Sequence, residues 1–209
     1  MTNHIHIPQP ALESIEVHGV TRSSFILRGA LAAGAVYGIG TVSPFVGEAI
    51  AQGDMGDIDI VNFALTLEYL ETAFYKEGLK LGLSSSVKKI ATEFGDQESQ
   101  HVDALTKAVQ SLGGTPAPMP KFSFGVTDEK SFLKLAQVLE DTGVGAYNGA
   151  APSIKSKEVL GAAGTIVQIE ARHAAAIRLI NKAAPAPLAF DKAIEKAAVL
   201  KAVTPLIKA

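Results

Sequence analysis

The chain has 209 residues, of which 47% are apolar, a formal charge of −2 and no cysteine. That length supports one domain with a sizeable core and argues against a second full domain. Near-neutrality without a basic stripe speaks against nucleic acid as a partner, and the lack of thiols excludes a disulfide framework, a thiolate metal site and thiol catalysis.

Residues 1–51 read as an export signal. Arg22 and Arg28 precede a weakly apolar Gly/Ala-rich run from Gly29 to about Gly40, and Ala49, Ile50 and Ala51 form a small-x-small cleavage site before Gln52. Thr21, Arg22, Phe25 and Ile26 resemble a twin-arginine signal, with Ser23 where the second arginine belongs. The apolar run is about 12 residues long, short of the ~20 that cross a bilayer, so no stable membrane span is expected. The mature chain, 52–209, is then expected in the periplasm, the cell envelope or outside the cell.

After a Gly/Asp-rich linker, the spacing of Ile60, Phe63, Ala64, Leu67, Leu70 and Phe74 predicts a first helix over 57–81. A short turn with serine caps leads to a second helix over 86–112, antiparallel to the first. The Gly/Pro-rich stretch that follows cannot continue a helix. From Gly113 to Val126 about 14 residues run extended, at ~3.3 Å each enough to travel the length of a bundle. Thr127 or Asp128 caps a third helix to about Asn148, a fourth spans 157–183, and a short C-terminal helix covers 191–203. The expected fold is all-α: a four-helix bundle with a long crossover between helices 2 and 3.

On these helices lie Glu68, Glu98, Glu140 and Glu170 in two copies of one interval, 30 residues each. Each second glutamate is followed by histidine at i+3 (His101, His173) and each first by tyrosine at i+7 (Tyr75, Tyr147), so the constellation repeats at an offset of 72. Helical spacing puts all four acids on inward faces, among Phe63, Phe94, Ala136 and Ile166. Lone buried carboxylates cost several kcal/mol each, and two histidines supply at most two positive charges. Two divalent cations neutralise four carboxylates, and one Glu from each of two helices plus Glu-x-x-His from each of the other two is the ligand set of a dinuclear site in a bundle. Hard oxygen donors with two imidazoles suit Fe foremost, with Mn or Zn as alternatives.

The segments 62–75, 139–147 and 169–175 resemble the ferritin-like proteins grouped with desiccation-related proteins, a likeness that spans about 57–205. The resemblance implies a ferritin-like bundle, with Glu68 and Glu140 as terminal ligands, Glu98 and Glu170 as bridges, and His101 and His173 as one terminal nitrogen each. Rubrerythrin-type peroxidases carry a further Glu three residues after the third-helix ligand, where this chain has Gly143; the pseudo-symmetric place on helix 1 is Glu71, read either as an extra ligand or as a solvated neighbour. Tyr75 and Tyr147 are read as hydrogen-bond donors to ligand carboxylates or as packing residues. Arg172 and Arg178 are expected in surface ion pairs and Asp103 and Asp141 as solvated helix residues, and Gly143, Gly145 and Gly149 are read as sites of tight packing or a bulge. Three functions remain open on the sequence: a di-iron oxidoreductase using O2 or peroxide in stress protection, a non-catalytic metal-stabilised protective protein, and an iron store built as a homo-oligomer.

Overall fold

Acidic side chains open the first helix. Asp57 and Asp59 place negative charge in the first turn of α1 (Asp57–Gly78), against the positive end of its dipole. The Asp57 carboxylate also accepts the backbone N–H groups of Lys155 (2.8 Å) and Ser156 (2.7 Å), which ties the start of α1 to the link between the third and fourth helices. The structure, a computed structural model, describes residues 56–208. The expected export segment therefore lies outside the described residues.

A tight turn leads to α2 (Ser85–Ser111), whose preceding residue, Ser84, is held through its backbone N–H by the Glu129 carboxylate rather than capping with its own side chain. Gly113, at φ +79°, ends α2 and lets the Gly114 N–H reach the Val109 carbonyl at 2.9 Å. Asn62 of α1 then clamps the crossover, donating to the Thr115 carbonyl (3.1 Å) and accepting from the Ala117 N–H (2.7 Å). The crossover ends beside the C-terminal segment, where Phe122 bridges Ile207. Asp128 and Ser131 form a reciprocal capping box for α3 (Glu129–Ala150), and the Ser156 hydroxyl caps α4 (Lys157–Ile180). A last short helix, α5, spans Lys196–Val203.

α1 packs on α2 and α3 on α4 as two antiparallel pairs, and the crossover brings the pairs together as one four-helix bundle. Among the described residues there is no sheet, and no helix is long and apolar enough to cross a membrane. The expected helices are present, with three ends shifted. α1 stops at Gly78, with the next residues in tight turns; α4 stops at Ile180 because Lys182 takes φ +60°. α5 starts five residues later than expected, because the stretch before it serves as a strap: the Ile194 N–H donates to the Gly145 carbonyl at 2.8 Å.

That strap explains two helix-interior glycines. A Cβ at 149 would lie 2.1 Å from the Ile194 carbonyl oxygen, and one at 145 would lie 2.4 Å from the Ile194 side chain. Tight packing, rather than a bulge, accounts for both. Gly149→Ala is therefore expected to destabilise the protein by about 1–3 kcal/mol despite alanine's better helix propensity. Gly161→Ala on α4, with nothing within 4 Å of the new carbon, is expected to stabilise by about 1 kcal/mol. Denaturant melts of the two variants check this pair of opposite signs.

Candidate metal centre

The core divides along the bundle into two apolar clusters, one built around Phe74, Tyr75, Phe94 and Phe132, the other around Val61, Leu65, Leu105, Tyr147 and Ile166. Between them lies a polar layer. α1 contributes Glu68 and Glu71, α2 Glu98 and His101, α3 Glu140, and α4 Glu170 and His173. Glu68, Glu98, Glu140 and Glu170 are all 0% exposed. His173 is as deeply buried at 1%, whereas His101 keeps 9% and marks the side of the layer nearer solvent.

Ligand-type atoms of the six residues fall into two groups of four, each with its atoms within 4.8 Å of one another. Glu68, Glu98, His101 and Glu170 make one; Glu98, Glu140, Glu170 and His173 make the other. Glu98 and Glu170 belong to both. Both histidines turn Nδ1 inward: His101 Nδ1 lies 2.9 Å from Glu98 Oε2 and 3.2 Å from both Glu68 Oε2 and Glu170 Oε1. His173 Nδ1 lies 2.8 Å from Glu98 Oε1 and 3.5 Å from Glu140 Oε2. The last three of these atoms, with both carboxylate oxygens of Glu170, are nonetheless buried without a hydrogen-bond partner, because the approaches are close but badly aligned. Unsatisfied donor atoms converging from α2, α3 and α4 are what a cation would complete.

The tyrosines cross over. Tyr147 of α3 donates to Glu68 Oε1 of α1 at 2.5 Å, and Tyr75 of α1 donates to Glu140 Oε1 of α3. Each hydroxyl occupies one oxygen of an outer carboxylate and leaves the other facing the layer. Hydrogen bonding, rather than packing alone, is thus the role of both. Gln97 is a further participant that no ligand spacing singles out: its Oε1 lies 2.6 Å from His173 Nε2. Accepting from Nε2–H turns Nδ1 toward the carboxylates, and once the ring is neutral it leaves Nδ1 the lone pair that a cation would take. Phe94 stacks on the same ring at 3.9 Å between centroids.

Glu71 is not a solvated neighbour. It is 3% exposed and belongs to the polar layer, although it lies outside both groups of four. Gly143 makes its place: a Cβ there would sit 3.0 Å from Glu170 Oε2 and 3.3 Å from Glu71 Oε1. The 72-residue correspondence breaks at this pair, a carboxylate on one helix facing a missing side chain on the other. Asp141 also departs from expectation. It pairs with Arg178 at 2.7 Å, and Arg178 donates in addition to the Pro185 carbonyl of the strap.

Burial, joined by repulsion from the other acids, pushes Glu71 and Glu170 well above the ordinary carboxylate range. Burial likewise raises Glu140, and raises Glu68 to about 8. Burial lowers the histidines, but the glutamate oxygens close to each Nδ1 outweigh it and hold His101 at about 12 and His173 at about 10. Glu98 is the exception: burial raises it, yet the hydrogen bond with His101 and the nearby His173 ring bring it down to about 2. Without a cation the layer keeps its protons, and a cation must displace them.

The sequence matches the ferritin-like domain family over residues 56–183. No curated protein matches it. Among solved structures, a conserved hypothetical protein of Mycobacterium tuberculosis superposes with a TM-score of 0.56 at 16% identity, covering 59% of this chain and 96% of that one. A structure described as ferritin-like, diiron-carboxylate proteins from Bacillus anthracis str. Ames gives a TM-score of 0.53 at 20% identity, covering 66% of this chain and 99% of that one. At these identities the two share the fold.

The raised groups set the sign of a pH effect. Glu68 and both histidines hold protons more tightly folded than unfolded, so their contribution is present at low pH and is lost as pH rises through about 8 for Glu68 and about 10 for His173. Metal-free protein is expected to lose stability as pH rises from 4.5, the ordinary glutamate value, to about 10, and a saturating divalent cation to flatten or reverse that slope. Thermal melts across pH, with and without metal, measure both.

Proposed function

The chain belongs to the ferritin-like domain family, and we propose that it binds two iron ions in the polar layer and oxidises Fe(II) with O2 or peroxide. The observation that carries this reading is the sharing of Glu98 and Glu170 by two four-residue groups. In it, Glu68 and His101 would hold one ion and Glu140 and His173 the other, with Glu98 and Glu170 available to both. Five buried carboxylates, counting Glu71, exceed the charge of two divalent ions by one, so the layer favours a more positive pair. When bound, two Fe(II) ions give one electron each, either to O2, which takes two protons and leaves as H2O2, or to H2O2, which takes two protons and leaves as two waters.

The surrounding side chains have assigned tasks in this proposal. Tyr75 and Tyr147 fix the outer carboxylates, Gln97 fixes the His173 ring, and the two apolar clusters keep bulk water from either end of the layer. His101, the most accessible of the six, faces the route by which protons and ions exchange with solvent. The layout of residues 21–51 supports an exported protein, in the periplasm, envelope or medium, where scavenging Fe(II) together with an oxidant protects against oxidative stress.

Anaerobic titration with Fe(II) is expected to reach two ions per chain, and admission of O2 or peroxide to produce a rapid absorbance change in stopped flow. Glu170→Gln is expected to bind fewer than two ions and to lose the fast phase. Tyr75→Phe is expected to weaken metal binding by about 10- to 100-fold while the bundle stays folded by circular dichroism. Tight binding of iron, manganese or zinc without any oxidation would instead identify a metal-stabilised structural protein.

A further inference from the structure

The two ends of the polar layer differ. On the Phe74–Phe132 side the core is filled by stacked rings, with Phe74 and Phe132 centroids 4.8 Å apart. On the other side small residues of the four helices line a pocket of about 30 Å³ that offers no polar surface and opens to solvent beside exposed Ala162. Alanines leave it open, since small side chains of α1, α2, α3 and α4 meet there: Ala64, Ala108, Ala146 and Ala163. It runs from half-buried Ala163 inward to Tyr147, the residue whose hydroxyl bonds Glu68. A single phenol ring therefore separates the cavity from a carboxylate of the polar layer.

Size and polarity together select the occupant. A void holds one water when it offers about 10–15 Å³, so this one takes a molecule of about two heavy atoms. Water at such a wall finds no donor or acceptor to replace its lost hydrogen bonds, and apolar cavities take up apolar gases in preference to it. Hydrogen peroxide would leave two donors and two acceptors unsatisfied, at several kcal/mol. Dioxygen has the size, the shape and no hydrogen bonds to lose. We infer that this cavity is a dioxygen-binding antechamber, which delivers O2 to the metal pair past Tyr147 while peroxide must arrive by the His101 side. The inference deepens the function proposed above and rests on it for what the gas meets.

Xenon is the probe, because its uptake is read on metal-free protein and needs no activity. Crystals of the metal-free protein under xenon pressure are expected to show one atom beside Tyr147, Ala108 and Ala163. Ala163→Leu, which fills the cavity from the half-buried end, is expected to abolish that xenon peak. In iron-loaded protein it is expected to slow oxidation by O2 about tenfold, equivalent to about 1.4 kcal/mol of barrier, and to leave oxidation by peroxide unchanged. Ala108→Leu fills the same space from α2 and is expected to do the same, so that misfolding of one variant does not decide the matter. Absence of xenon in the wild type, or equal effects of the variants on the two oxidants, overturns the antechamber while leaving the metal centre standing. Xenon uptake by a protein whose bound iron ignores O2 overturns both readings.

Discussion

Five carboxylates share a layer from which water is excluded, and the rest of the structure answers to that crowding. Isolated buried charges of one sign cost far more than a domain's net stability, so the layer persists only with protons, imidazoles or cations among the acids. Protein groups do part of this. Both histidines press Nδ1 against two or more carboxylates, and two tyrosines reach across the bundle to an outer glutamate each. What they leave is a set of buried oxygens on Glu98, Glu140 and Glu170 with nothing to accept from. A pair of cations would complete it, and the side chains that would hold them come from all four helices, so no subset of the bundle can assemble them alone.

Pseudo-symmetry organises the layer, and its breaks give the two sides separate characters. The repeat places Tyr75 opposite Glu140 and Tyr147 opposite Glu68, so each helix pair steadies the other's terminal acid. At Glu71 and Gly143 the repeat fails, and one carboxylate fills the space that its counterpart vacates. Gln97 breaks it again by holding His173 from behind, whereas His101 is the more exposed of the two rings. Filled aromatic packing on one end and an alanine-walled void on the other extend the asymmetry along the bundle axis. A layer of matched acids and histidines thus has unmatched surroundings at its two ends.

Stability and site construction are coupled through the connections. Asp57 fastens the beginning of α1 to the α3–α4 link, Asn62 pins the crossover, and Ile194 lies against the glycine face of α3. None of these touches a proposed ligand. They set the angle and depth at which α1 and α3 present Glu68 and Glu140, and ligands must be held within a fraction of an ångström for a metal pair to form.

The order of helices, the long crossover and the inward setting of the six acids and histidines were legible in the sequence by itself, because helical periodicity assigns a face to every residue and a repeated interval assigns the same depth to equivalent ones. Glu68, Glu98, Glu140 and Glu170 could be placed inside without coordinates for that reason. Tertiary structure alone decided the rest. The sequence left Glu71 between an extra ligand and a solvated neighbour, and only the empty space over Gly143 on another helix puts it in the layer. Gln97 sits one residue from a ligand, at a spacing that no helical rule selects, and acts through a ring on α4. The strap before α5 stops a helix that local propensity would have begun earlier, since the Ile194 backbone gains its partner on α3. Local pattern fixes which way a side chain points; what it meets depends on neighbours distant in sequence, and those are settled only when the helices pack.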